Sequence, residues 1–193
     1  IGATSFTVDA GNGDSSTGND SVTVGSLINS GLTAVVISTG AGADAISFNT
    51  PFAGSALQTV TVNGGNESDT LNVSMDSFTL LGANAFTFNG DAGTDAMNIT
   101  NNAATMPLTT LAAQSSSGGE LKYATVEAAS FTGGAAVNTY NINGWNGSSL
   151  AINGGAGDDI FALAVATGNL NAVSGNVSID GGTGTADQLR LFD

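Results

Sequence analysis

The sequence predicts an all-β protein: a right-handed parallel β-helix or β-roll, a solenoid of about seven coils of roughly 25 residues within a single domain, 1–193. Three observations predict it. A glycine-rich motif recurs along the chain, apolar residues alternate strictly on either side of it, and no stretch joins a helical apolar stripe to helix caps.

The clearest copies align without gaps. Val35-Val36-Ile37-Ser38 leads into Thr39-Gly40-Ala41-Gly42-Ala43-Asp44 and then Ala45-Ile46-Ser47-Phe48. Val60 to Asn63 leads through Gly64-Gly65-Asn66-Glu67-Ser68-Asp69 to Leu71 and Val73. Phe86 to Asn89 leads through Gly90-Asp91-Ala92-Gly93-Thr94-Asp95 to Met97 and Ile99. Leu150 to Asn153 leads through Gly154-Gly155-Ala156-Gly157-Asp158-Asp159 to Phe161 and Leu163. Looser copies end at Asp20, with an insertion after Gly13, at Asn138, and at Asp187, with one extra residue. Period-two alternation marks strands, and the six-residue loops suit tight backbone approach.

The key residues Asp20, Asp44, Asp69, Asp95, Asn138, Asp159 and Asp187 are separated by 24, 25, 26, 43, 21 and 28 positions. The long interval marks an inserted segment near 101–132, with weak strands around Leu121-Lys122-Tyr123 and Thr125-Val126. Between repeats lie looser turns with apolar residues of their own: Leu27, Ile28 and Leu32; Phe52 and Leu57; Phe78, Leu80 and Leu81; Leu170 and Val173. These are expected to close each coil, as a third short strand.

No single repeat can bury its apolar face, so like residues are expected to stack at about 4.8 Å. The strands before the loops then form one column: Phe6/Val8, Val35/Ile37, Val60/Val62, Phe86/Phe88, Ala129/Phe131, Leu150/Ile152 and Val177/Ile179. The strands after the loops form a second: Val22/Val24, Ile46/Phe48, Leu71/Val73, Met97/Ile99, Tyr140/Ile142, Phe161/Leu163 and Leu189/Leu191. The short polar residue before each glycine pair (Asp9, Ser38, Asn63, Asn89, Thr132, Asn153, Asp180) fixes the turn or forms a side-chain ladder.

Composition narrows the chemistry. Two Lys+Arg against 16 Asp+Glu give a formal net charge of -14, which excludes a phosphate-tracking surface and so a nucleic-acid partner. Cysteine and histidine are absent, which removes disulfides, thiol nucleophiles, imidazole bases and zinc–thiolate sites. No apolar run approaches the ~18 residues of a membrane span. A chain opening at Ile1 without a leader fits a mature form or a fragment of a longer array. The Gly/Asn/Thr/Ser-rich, lysine-poor composition fits a secreted or cell-surface protein.

Asp20, Asp44, Asp69, Asp95, Asp159 and Asp187 fall on one loop position and are the candidate metal ligands. Two unit charges about 4.8 Å apart repel by about 1 kcal/mol in water and about 3 kcal/mol at an effective dielectric of about 20. Lys122 and Arg190 are too few to offset a column of them. A calcium ion, taking carboxylate and backbone carbonyl oxygens, is one compensation. The other reading has each aspartate capping its own loop by accepting backbone N–H bonds.

Gly154-Gly155-Ala156-Gly157-Asp158-Asp159-Ile160-Phe161-Ala162 resembles the G-G-x-G-x-D-x-U-x nonapeptide (U apolar) of repeat-in-toxin, or haemolysin-type, calcium-binding proteins at every fixed position. The copies at Asp44, Asp69 and Asp95 resemble degenerate versions. The resemblance implies a parallel β-roll, calcium between stacked loops with Asp159 and its counterparts as ligands, and export. Family nonapeptides run in tandem, two loops to a turn, whereas here one loop occurs in about 25 residues. The spacing is closer to the long, degenerate repeats of large bacterial surface proteins.

These readings converge on a non-enzymatic extracellular structural or adhesive protein: a segment or subunit of a surface layer, an adhesin stalk or a filament, stabilised by calcium. Strand-like sequence at both ends predicts self-association through open ends, or continuation of the same chain. Cell-surface polysaccharide is a further partner class. One alternative is a carbohydrate- or ice-binding module on an outward Thr array (Thr7, Thr61, Thr87), which Ala151 and Ser178 interrupt. The other is a β-helical polysaccharide-active enzyme using Asp158 and Asp159, for which no basic residue lies nearby.

Overall fold

The computed structural model describes residues 3–11, 18–25, 27, 31–49, 57–74, 86–101, 105–109, 112–114 and 120–193. Ile28, Phe52, Phe78, Leu80 and Leu81 lie outside them, so the expected third strand is described only in part. Among the described residues the chain is all β, apart from a 3₁₀ turn at Leu170–Ala172.

The strands before the first four loops are β1 (Ser5–Asp9), β3 (Ala34–Ala41), β5 (Thr59–Asn66) and β7 (Phe86–Ala92). They pair in parallel in one sheet, with Val35 over Val60 and Val60 over Phe86. The strands after those loops, β2 (Ser21–Val24), β4 (Ala45–Phe48), β6 (Thr70–Ser74) and β8 (Ala96–Asn101), pair in parallel in a second sheet, with Ile46 over Leu71 over Met97. Pairing continues into the loops, where Gly40 lies over Gly65 and Gly65 over Asp91. The inward side chains of both sheets share one core, and the Phe48 and Phe86 rings meet across it edge to face, centroids 4.9 Å apart. Such a pair contributes about 0.5–1.5 kcal/mol beyond area burial.

The expected columns break at the insertion. Three strands, β9 (Thr105–Leu108), β10 (Ala112–Gln114) and β11 (Glu120–Ala124), all join the first sheet, through antiparallel β9–β10 and β10–β11 pairings. Leu121 and Tyr123 of β11 take the places over Phe86 and Phe88 that Ala129 and Phe131 were expected to fill. β12 (Ala128–Gly133) instead pairs with β8 in the second sheet, Ala129 over Met97 and Phe131 over Ile99. Only β9, β10 and their connections are additional, so the inserted unit is shorter than 101–132; β11 and β12 carry on the two sheets.

The swap persists to the end. β14 (Ser149–Asn153) and β16 (Asn176–Asp180) extend the second sheet, although they precede loops. β13 (Thr139–Ile142), β15 (Ile160–Leu163) and β17 (Gln188–Leu191) follow loops yet extend the first sheet. The sheets therefore hold ten and seven strands among the described residues. Early loops lead from the ten-stranded sheet to the seven-stranded one, and late loops lead back, so the two sets occupy opposite edges. Trp145 is fully buried where the edges exchange roles; it bridges Val173, and its ring centroid lies 6.0 Å from that of Tyr123.

Candidate functional site

The aspartates form two hydrogen-bonded ladders. On the first edge the Asp20 amide donates to Asp44 Oδ1 at 2.7 Å, Asp44 to Asp69 Oδ1 at 2.9 Å, and Asp69 to Asp95 Oδ1 at 2.8 Å. The Asp95 amide donates to Glu127 Oε2 at 2.8 Å. On the second edge the Asn138 amide donates to Asp159 Oδ1 at 2.6 Å, and Asp159 to Asp187 Oδ1 at 2.8 Å. The return bonds are backbone: Asp20, Asp44 and Asp69 carbonyls accept from Ala45, Thr70 and Ala96, and Asp159 accepts from Gln188. Each rung is thus a two-bond clip between successive repeats.

This differs from the expected cap. The acceptor serves the preceding repeat, not its own loop. Own-loop capping belongs to the residue before the glycine pair: Asn153 Oδ1 accepts from Gly155 N, and Asp180 Oδ1 from Gly182 N. Earlier members of that column form the other expected arrangement, a side-chain ladder from Asn89 to Asn63 to Ser38.

The ladder accounts for the glycine motif. A Cβ at the first glycine (Gly64, Gly90, Gly154, Gly181) would overlap the carboxylate of its own loop, which folds back over that position. A Cβ at Gly65 or Gly182, where φ is +119° and +85°, would overlap the carbonyl of the preceding repeat's glycine. The third glycine passes equally close to the repeat before: Gly42 to Gly18 O, and Gly184 to Gly157 O.

Asp44, Asp69, Asp95 and Asp159 are at most 2 % exposed. Their Oδ2 atoms, with that of Asp20, are buried and have no hydrogen-bond partner among the described residues. Desolvation, with the Asp44, Asp95 and Glu67 charges, pushes the Asp69 carboxyl up to about 6, although the Asp44 amide pulls the other way. Burial also raises Asp95 and Asp159. Asp158, adjacent in sequence, points into solvent; the Thr185 amide and hydroxyl and the Ala186 amide hold its carboxyl low. Asp187, at the last rung, is exposed.

Sequence reasoning missed Glu127. Its signal is the strand that follows: Glu127-Ala128-Ala129-Ser130-Phe131 has the acid-x-apolar-x-apolar order of Asp95-Ala96-Met97-Asn98-Ile99. The longer side chain reaches the rung from a turn without the glycine loop.

An orphaned carboxylate oxygen beside glycine carbonyls suits a hard cation. Among the described residues, however, no three acidic side chains converge into a ready-made cage. A groove on the outer face of the seven-stranded sheet is lined by Asn72, Asn98 and Ser130, themselves joined in a ladder that reaches Ser47. Its one aromatic, Phe48, is buried, so the groove lacks a stacking platform for sugar rings. Lys122 lies 3.6 Å from Glu120, outside the ladder residues. Comparison with family models, with curated proteins and with solved structures gives no match.

Proposed function

We propose that the chain is a mechanical repeat module: a right-handed β-solenoid of about seven coils, exported and non-enzymatic, that serves as a segment or subunit of a surface layer, an adhesin stalk or a filament. The observation that carries this reading is the pair of ladders, in which successive repeats along each edge are joined through a carboxylate, buried at Asp44, Asp69, Asp95 and Asp159. Carboxylates spent on inter-repeat bonds are unsuited to proton transfer on a substrate. A chain without histidine offers no ready replacement.

Calcium completes the reading. Asp20, Asp44, Asp69, Asp95, Asp159 and Asp187 are the residues to hold it, each offering a carboxylate oxygen, with loop carbonyls as the remaining ligands. The ion would supply positive charge to a column that Lys122 and Arg190 do not neutralise. Thermal melting followed by circular dichroism tests it. Calcium at about 1 mM is expected to raise Tm by about 5 °C or more over chelator. Superimposed curves would remove the metal from the reading.

A further inference from the structure

We propose that the outer face of the seven-stranded sheet binds an uncharged polysaccharide, laid along the stack axis in the groove that runs from β4 to β12. The inference rests on the stacking used in the solenoid reading above and adds a ligand to it.

Charge is sorted in this molecule. On β2, β4, β6, β8, β12 and β14 every outward side chain is Ala, Ser, Thr or Asn. The acids Asp44, Asp69, Asp95 and Glu127 stand at the turns that lead into these strands. Both cations, Lys122 and Arg190, lie on strands of the other sheet. An anionic polymer would therefore meet carboxylates at the edge and no cation on the face. A cationic one would find its counter-charges at the edge and none in the groove. The face selects a neutral ligand.

Hydrogen bonding says which neutral ligand. The groove holds about 310 Å³ and crosses four strands, a length of about 14 Å at about 4.8 Å per strand step. One row along it is the ladder: Asn72 Nδ2 donates to Ser47 Oγ at 3.3 Å, Asn98 Nδ2 to Asn72 Oδ1 at 3.0 Å, and Ser130 Oγ to Asn98 Oδ1 at 2.8 Å. Two residues further along the strands, Ser74, Thr100 and Thr132 stand in register as a second row. Asn98, Thr100 and Thr132 are exposed. After the ladder bonds, each of the two amides keeps one N–H and one lone pair for a ligand. Donor and acceptor thus sit side by side at successive strand steps. A sugar hydroxyl is itself donor and acceptor, and a polysaccharide repeats it along its length. The ladder bonds also fix the amides before a ligand arrives, so less side-chain freedom is lost on binding. With no exposed aromatic ring among the lining residues, binding rests on hydrogen bonds that each gain little net in water. Affinity must accumulate along the chain, so a polymer binds where a monosaccharide does not.

The test uses the whole chain with four neutral polymers, cellulose, chitin, mannan and a β-1,3-glucan, and with polygalacturonate as the anionic control. Co-sedimentation and affinity electrophoresis are expected to show retention by at least one neutral polymer and none by polygalacturonate. The monosaccharide of the retaining polymer is expected to compete at least about 100-fold less well, sugar for sugar. Thr100→Glu sets an unpaired charge in the groove and is expected to weaken retention at least about tenfold with the melting curve unmoved. Thr132→Glu, in the same row, is the second variant should the first lower the melt. Thr61→Glu makes the same change on the outer face of the ten-stranded sheet and is expected to leave retention intact. Retention by none of the neutral polymers overturns the inference, as does equal retention by polygalacturonate. Retention that survives both groove variants, or that is lost in Thr61→Glu, overturns the groove as the site. A mass that doubles with concentration in place of retention, and returns to 18.8 kDa in Thr100→Glu, assigns the face to a second copy and overturns the ligand. Small-angle scattering of the same samples separates the two levels. An elongated particle without retention leaves the solenoid reading standing, and a near-spherical one removes the solenoid and the groove with it.

Discussion

Asp69 sits midway along the first ladder, bonded to both neighbours and closed to water. Its Oδ1 accepts the buried Asp44 amide, so the acceptor matters more than the charge. Asn138 fills the corresponding buried position on the second ladder, so an amide side chain fits the space, and its oxygen keeps an acceptor there that alanine lacks. Asp69→Asn is therefore expected to be more stable than Asp69→Ala by about 1–3 kcal/mol, the cost of leaving a buried amide without an acceptor. Urea unfolding in chelator measures the difference. The proton has a defined sign. A carboxyl raised from 3.8 to about 6 binds its proton more tightly folded than unfolded. That stabilisation is complete below about pH 4 and is lost as pH rises through about 6. Asp95 and Asp159 act in the same direction. In chelator, Tm is expected to fall between pH 4 and pH 7, and Asp69→Asn should flatten the slope. A Tm that climbs over that range contradicts the buried-carboxyl account. The position of these aspartates was legible from the motif. The direction of their bonds was not, because an acceptor serving the preceding repeat has the same sequence as one serving its own loop.

At the scale of the element, the glycine loops are the most sensitive parts. Gly65 combines a positive φ of 119° with contact against the Gly40 carbonyl. Gly65→Ala is expected to cost about 2–4 kcal/mol, as strain and overlap add. Gly168, with φ +55° and open space around it, should cost about 1 kcal/mol on the same change. Equal losses at the two sites, measured by denaturant titration, would contradict the close-approach account. Strands were legible from alternation, as at Val60/Val62 and Leu71/Val73. Their sheet membership was legible only up to β8. Strands before and after a loop carry the same period-two pattern, so membership depends on how many strands intervene. β11 takes the place of a strand before a loop, but a short turn at Thr125 to Glu127 follows it. From there the glycine loops fall on the other edge, and nothing within β12 announces the change.

At the scale of the molecule, the ten-stranded sheet spans about 43 Å from first strand to last at about 4.8 Å per step. Small-angle scattering of the monomer is expected to give an elongated particle of about that length. A near-spherical profile would contradict parallel stacking. What the sequence lacks, histidine, cysteine and all but two basic residues, narrows the chemistry open to the chain. The division of the carboxylates between two edges was not legible there, since it follows from the insertion's topology. The chain's one tryptophan lies where the loops change edges. Trp145 is buried between Tyr123 and Val173, and its indole N–H has no hydrogen-bond partner among the described residues. Its fluorescence should therefore be blue-shifted and blind to fraying of β1 and β2. A red shift in emission then dates the release of the Ala172 to Ser174 segment that leads into β16, distinct from the loss of the strands at the other end of the stack.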